Sequence, residues 1–267
     1  MLVILNNILA IYRREFQSYF TSPLAYGIAG VFWLLMGYFF IAILLGPQGL
    51  IQQVGNLDQM GATQDSPIDL PYQFLQTFLQ ILGSMSLFIL PMLSMGLYTE
   101  ERKRGTLELL ATSPITNWAV AVGKLLGVLT FFLTMMMPLF VLEGLVLNVA
   151  QPPMSPAIFL VAHGGLILLA AGVLSLGMFI SSLTDSTILA AILTFTLVLF
   201  LWVIDLIGTS IGGQIGEVFG HLSLISNYSK LVQGTLDTSS LVLFASYIIL
   251  GVFLTAQSID ALRFQRS

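Results

Sequence analysis

The sequence predicts an all-α membrane protein with six transmembrane helices, and three observations carry that reading. Of its 267 residues, 57% are hydrophobic and only 8% are charged, where a soluble domain carries about 25% charged residues. The mean hydropathy is +0.94. The apolar residues fall in long runs broken by short polar joints, and roughly 20 apolar residues are what a helix needs to cross a bilayer with every backbone amide satisfied internally. The alternating ten-residue segments of a membrane barrel do not occur. The whole chain, 1–267, therefore reads as one transmembrane domain.

Residues 1–22 place Leu5, Ile8, Leu9, Tyr12, Phe16, Tyr19 and Phe20 at helical spacing, with Asn6, Arg13, Arg14 and Gln17 between them. This is an amphipathic helix suited to the membrane interface. A cleaved leader carries its positive charge ahead of the apolar run, whereas these arginines follow it, so no leader is read here. Ser22-Pro23 stops the helix, because proline lacks a donor and restricts the residue before it. The first span covers 24–45 and closes at Gly46-Pro47. Residues 46–71 contain Asp58, Asp65 and Asp69 but no Lys or Arg, the composition of an external loop. The second span covers 74–98, with Pro91 as an expected kink.

The stretch 99–117 holds the densest charge, Glu100, Glu101, Arg102, Lys103 and Arg104, and reads as a cytoplasmic loop. The third and fourth spans cover 118–147 and 157–183, joined by the turn-rich segment from Gln151 to Pro156. A tight inner joint from Ser181 to Asp185 leads to the fifth span, 187–205. The sixth span covers 241–259, ahead of a tail, 260–267, with Arg263 and Arg266.

Orientation follows from the basic residues. With both termini cytoplasmic, Arg13, Arg14, Arg102, Lys103, Arg104, Lys124, Arg263 and Arg266 lie inside or at the inner edge, and only Lys230 lies outside. Eight of the nine basic residues then obey the positive-inside rule.

Between the fifth and sixth spans, residues 206–240 are too polar to cross and too apolar to be a free loop. Gly208, Gly212, Gly216 and Gly220 recur every fourth residue beside Ile207, Ile211, Ile215 and Phe219. On one helix these rows form a smooth glycine ridge for close backbone packing. Short re-entrant or outer-surface helices are expected. Gly123 and Gly127 make a second small-residue pair, which reads as generic helix packing.

Catalytic chemistry is hard to find in this chain. Cysteine is absent, which excludes disulfides and thiolate metal sites. The one Gly-Lys pair, Gly123-Lys124, has Trp118 where a phosphate-binding loop needs its first glycine and Leu125 where it needs Ser or Thr. His163 and His221 are far apart and fit no metal spacing, so no metal site is predicted and both read as polar-edge histidines. Glu143 and Asp205 sit near the outer ends of the third and fifth spans. Each either reaches headgroup water or makes a polar contact at an external exit.

The segment after the second span is richer than a topological anchor requires. Glu100 and Arg104 are spaced as an i,i+4 pair, Gly105 breaks the turn, and Thr106 can cap a further short helix on which Leu107, Leu110 and Ala111 share a face. Such a helix could dock into a groove of a cytoplasmic partner. The alternative is a positive-inside loop with an interfacial helix.

The run from Tyr98 through Glu100, Glu101, Arg102, Arg104, Gly105, Thr106, Leu107, Glu108, Leu109 and Leu110 to Ile115 resembles the coupling-helix segment of ABC-2 type transporter permeases. Two further stretches, Arg14-Glu15-Phe16 through Tyr26 and Ser223 through Asp237, resemble the branch of gliding-motility and nitrous-oxide-reductase-maturation (copper-processing) permeases. The resemblance implies a type V exporter-like fold in a bacterial cytoplasmic (inner) membrane. It gives an interfacial helix with Tyr12, Arg13, Arg14, Glu15 and Phe16, a coupling helix near 100–114, and an external re-entrant segment near 209–238. It implies a non-catalytic subunit that binds no cofactor directly, with ATP and Mg held by two ABC ATPase subunits. A second permease copy or paralogue, membrane lipid and an accessory periplasmic subunit are the other implied partners; nucleic acid is not one. In similar transporters the first, second and fifth helices line the path, which here involves Gly27, Gly30, Gly83, Ser84 and Ser86 as close-packing positions. The competing reading, an ATP-independent transporter or channel, calls for charged midplanes and internal repeats, and a membrane scaffold is a further alternative.

Overall fold

Helices account for all regular structure among the described residues. A computed structural model describes residues 2–59, 69–106, 115–150 and 153–264. The helices are α1 Leu2–Thr21, α2 Pro23–Leu45, α3 Leu50–Gln59, α4 Leu70–Ser94, α5 Gly96–Lys103, α6 Asn117–Val149, α7 Pro156–Leu183, α8 Thr187–Ile211, α9 Gly213–Leu222, α10 Leu224–Val232 and α11 Thr238–Phe264. Six stretches are long and apolar enough to cross a membrane, built on α2, α4 with α5, α6, α7, α8 and α11.

The helix ends follow local chemistry. Pro23, Pro71 and Pro156 occupy first-turn positions, where the missing N–H is not needed. The side chains of Asp69, Ser186 and Ser223 cap α4, α8 and α10 by accepting from the backbone amides of Tyr72, Leu189 and Ser226. Pro91 lies inside α4, and the chain turns at Met95 before continuing as α5.

The bundle is organised around α7, which contacts α4, α5, α6, α8, α10 and α11. Its small residues permit this crowding. A Cβ on Gly165 would come within 2.7 Å of the Leu231 side chain, and Ser175 faces Gly251 of α11 so closely that a Cβ there would lie 2.5 Å from its backbone carbon. In lipid no hydrophobic force drives helix onto helix, so close van der Waals contact and hydrogen bonds hold them together. Ser175 adds one such bond, donating to the Tyr247 carbonyl at 3.0 Å. Outward positions such as Leu34, Val149, Ile188 and Ile249 are exposed and apolar, as lipid-facing surface should be.

Three expectations are corrected. Residues 46–71 are not simply a loop, because they contain α3, whose Leu50 is buried in the core; the run is too short and too polar to read as a span. The fifth span does not end at Asp205 but continues to Ile211. The four glycines do not form one ridge: the chain reverses at Gly212 and Gly213, with φ of +66° and +64°, and α9 folds back on α8. A Cβ on Gly208 would lie 2.7 Å from the Gly216 carbonyl oxygen and 3.0 Å from the Phe219 Cβ. Two glycines thus face each other across a hairpin, and a third makes its turn.

Substituting Gly208 by Val should therefore destabilise the purified protein by about 1–3 kcal/mol through overpacking. Gly144→Ala should be neutral, since a Cβ there meets nothing within 4 Å. Thermal unfolding in detergent checks both.

Candidate functional site

Lys124 lies in the first third of α6, between Gly123 and Gly127. The two glycines clear one face of that helix, and α1 lies against it. A Cβ on Gly123 would come 3.1 Å from the Ile8 carbonyl oxygen, and one on Gly127 would come 2.7 Å from the Glu15 Cβ. Farther along, Tyr19 stacks on Phe131 of α6 with ring centroids 4.8 Å apart, and Phe20 meets the same ring edge-on. The small-residue pair is therefore used within the chain, to seat its own first helix.

That close approach delivers a carboxylate to the lysine. Lys124 Nζ lies 3.1 Å from Glu15 Oε2 of α1 and 3.1 Å from Glu101 Oε1 of α5, and donates to the Leu97 carbonyl at 2.7 Å. It also sits 4.9 Å from the centre of the Tyr98 ring. Lys124 is only 3% exposed. An ammonium removed from water costs several kcal/mol unless paired and hydrogen-bonded, and here three acceptors and an aromatic ring surround it. Two carboxylates against one ammonium leave a negative excess. Arg14, largely exposed and 4.0 Å from Glu101, offsets it at the rim.

The position of α5 is fixed from its other side by α7. The amides of Tyr98 and Thr99 donate to the Ser181 hydroxyl at 3.0 and 3.2 Å, and that hydroxyl donates to the Met95 carbonyl at 2.9 Å. First-turn amides have no acceptor within their own helix, so Ser181 satisfies the start of α5. Arg102 then donates to the Ser182 carbonyl at 2.7 Å. Glu100 and Arg104 form the pair their spacing predicts, at 3.7 Å, but both are largely exposed, so it contributes little stability. Gly105 ends the turn with φ +69°, and the Thr106 hydroxyl donates to the Glu101 carbonyl at 3.2 Å. Leu107, Glu108, Leu109 and Leu110 lie outside the described residues. A cavity of about 490 Å³ opens beside this cluster, lined in part by Glu15, Ser18, Tyr19, Glu100, Arg104 and Thr187.

Of the α1 residues singled out from sequence, Arg13 and Arg14 are exposed, Tyr12 stacks on Phe16 at 5.9 Å, and Glu15 turns inward to the lysine. Lys124 is the residue that sequence reasoning undervalued. It counted as one more inner-edge cation, although a lysine within an apolar run is by itself a functional signal, and the flanking glycines marked what covers it.

At the opposite end of the bundle the acidic residues separate. Glu143 does not reach headgroup water: it is fully buried, with His163 Nε2 of α7 3.5 Å from its Oε2. His163 is not an ordinary polar-edge residue, being packed between Phe140 and Phe159. Asp205 is half-buried on α8 and faces Gly220 across the hairpin. Gly83 packs directly against the Tyr228 ring, and Ser86 is buried, whereas a Cβ on Gly27 or Gly30 would meet nothing within 4 Å. Those two glycines are not close-packing positions within this chain.

Six apolar helices, four of them packed on α7 as the fifth, with a buried charge cluster at one end and two short helices folded in at the other, define a multi-pass α-helical membrane protein. Residues 9–267 match the family described as ABC-2 family transporter protein, and the chain belongs to that family. It is thus a permease subunit of an ABC transporter, a membrane component of a generally non-catalytic kind whose family implies partnership with ABC ATPase subunits. No curated protein matches the chain in sequence.

Replacing Lys124 by Met should strand two carboxylates and destabilise the protein by about 3–5 kcal/mol, the usual cost of breaking a buried pair. Adding Glu15→Gln and Glu101→Gln to that variant should recover much of the loss. Thermal unfolding of the single and triple variants reads both effects.

Proposed function

We propose that this permease receives the stroke of ATP hydrolysis through residues 100–110 and passes it through Lys124 to the interfacial helix α1. The observation that carries the reading is the junction itself. One buried ammonium joins α1, α5 and α6, so displacement of α5 drags on Glu101 and thereby on Lys124 and Glu15. A stiff link of this kind is what mechanical coupling needs. Leu107, Leu109 and Leu110 serve as apolar anchors in a groove of the ATPase, with Glu101, Arg102 and Glu108 setting register. ATP and Mg are held by two such ATPase subunits and not by this chain.

The same reading gives both termini to the cytoplasm of a bacterial inner membrane, because Arg14, Arg102, Arg104 and Lys124 cluster at the α5 end. Lys230 sits at the other, paired with Asp237. On this view α9 and α10 form the external re-entrant segment, and Glu143 and Asp205 lie towards the exit. A second permease, identical or homologous, seats against α2 and α8. These are the spans with the least buried surface, and the open glycines Gly27 and Gly30 lie on α2. The transporter exports a substrate or does work on an extracytoplasmic machine.

Because the chain has no cysteine, single-cysteine variants report without background. With the ATPase coexpressed, cysteines at Leu107 and Leu110 should cross-link to a protein whose peptides carry nucleotide-binding motifs, while one at Val149 should not. The double change Leu107→Asp and Leu110→Asp should abolish ATPase copurification and leave membrane insertion unchanged. Cross-linking through Val149 instead, or full copurification with the double variant, would reverse the assignment.

A further inference from the structure

The carboxylate of Glu143 is fully enclosed, and neither of its oxygens has a hydrogen-bond partner among the described residues. A buried charge without partners is too costly to persist, so the surroundings must determine how it is carried. The group nearest in charge is His163, with Nε2 3.5 Å from Glu143 Oε2. Its other nitrogen, Nδ1, lies 2.9 Å from the Phe159 carbonyl oxygen. A carbonyl can only accept, so Nδ1 carries a proton and donates it there.

Nε2 then has two states. It carries a second proton towards an ionised Glu143, or it presents a lone pair to a protonated Glu143. Each state places one proton between the two side chains and leaves the pair neutral. Removing that proton would set a lone pair against a carboxylate; adding another would leave an imidazolium beside a neutral acid, a net positive charge between Phe140 and Phe159.

We infer that Glu143 and His163 form a membrane-buried proton-binding site, occupied by one shared proton when α10 is seated, and that binding a second proton loosens α10. The coupling to α10 is geometric. This short helix is wedged between α4 and α7, with its Tyr228 ring against Gly83 and its Leu231 against Gly165, and Tyr228 donates to the Leu79 carbonyl at 2.7 Å. Leu224, Leu231 and Val232 are buried as well. Leu231 thus holds α10 on α7 two residues from His163.

Among the described residues, the titratable groups that interact with Glu143 are His163 of α7 and Tyr228 of α10. Burial, and then the nearby Glu143, raise the Tyr228 phenol well above its ordinary value, so it stays neutral in mild acid. The Lys230–Asp237 pair at the end of α10 does not respond there either. The Ser239 hydroxyl, then Lys230, hold the Asp237 carboxyl down at about 2, so its contribution is present above the ordinary carboxylate range and is lost only near that value. His221, exposed at the end of α9, is the remaining histidine and is removed as His221→Gln in every sample.

The reporter is Val232→Cys in the full chain in nanodiscs, labelled by a water-soluble maleimide and normalised to Leu236→Cys, which lies in an exposed position. Between about pH 8 and about pH 5, the range in which histidine gains its charge, normalised labelling of Val232→Cys should rise several-fold as the pH falls. With Glu143→Gln and His163→Gln together, a non-titrating amide pair, the rise should vanish. No rise in the parent, or an equal rise in the double variant, would refute the proposal. Nitrogen-15 histidine spectra of the His221→Gln protein test the proton assignment without altering the site. A protonated Nδ1 in neutral buffer and a full imidazolium in acid are expected, and a neutral ring protonated only at Nε2 would refute it.

Discussion

A lysine ammonium removed from water must be given acceptors, and in this chain that requirement fixes three helices at once. Lys124 can be buried only if α1 approaches α6 closely enough to bring Glu15, and if α4 runs on into α5 far enough to bring Glu101 and the Leu97 carbonyl. Gly123 and Gly127 make the first condition possible by clearing the face on which α1 lies. Ser181 and Ser182 secure the second by receiving the start and the Arg102 side chain of α5. The cost of leaving any one partner out, several kcal/mol for an unpaired buried charge, makes the three helices interdependent.

The two ends of the bundle handle buried charge differently. At the α5 end the charges are many, and the cluster reaches the surface through Arg14 and Arg104. Towards the other end Glu143 is fully buried beside His163, which is packed between aromatic rings. The first arrangement resists separation of its parts and suits the relay of force. The second, on the inference drawn above, depends on the number of protons it holds, since no hydrogen bond from the described residues satisfies the carboxylate. Between them α7 supplies continuity, with Ser181 and Ser182 at one end and His163 near the other.

Much of the site was legible along the chain where the signal was local. The Glu100–Arg104 spacing, the break at Gly105 and the helix boundaries at Pro23 and Pro156 each involve residues within a turn of one another. The partners of Lys124 and Glu143 were not legible, because each pair is joined across elements distant in sequence: Glu15 with Lys124, and Glu143 with His163. The periodic glycines from Gly208 to Gly220 show the same limit. Their spacing fits a straight ridge and a hairpin alike, and only the positive φ at Gly212 and Gly213 distinguishes the two.

The sequence alone determined that this is a helical membrane protein with six spans, since run length and the need to satisfy backbone amides in lipid depend on no distant contact. Its resemblance to ABC-2 permeases was likewise carried by short contiguous stretches. The tertiary structure decided which charges are buried and against what, because close approach in lipid depends on small residues of two helices meeting at one depth. That meeting turned an apparent inner-edge lysine into the junction of three helices, and an apparent headgroup-facing glutamate into half of a buried pair.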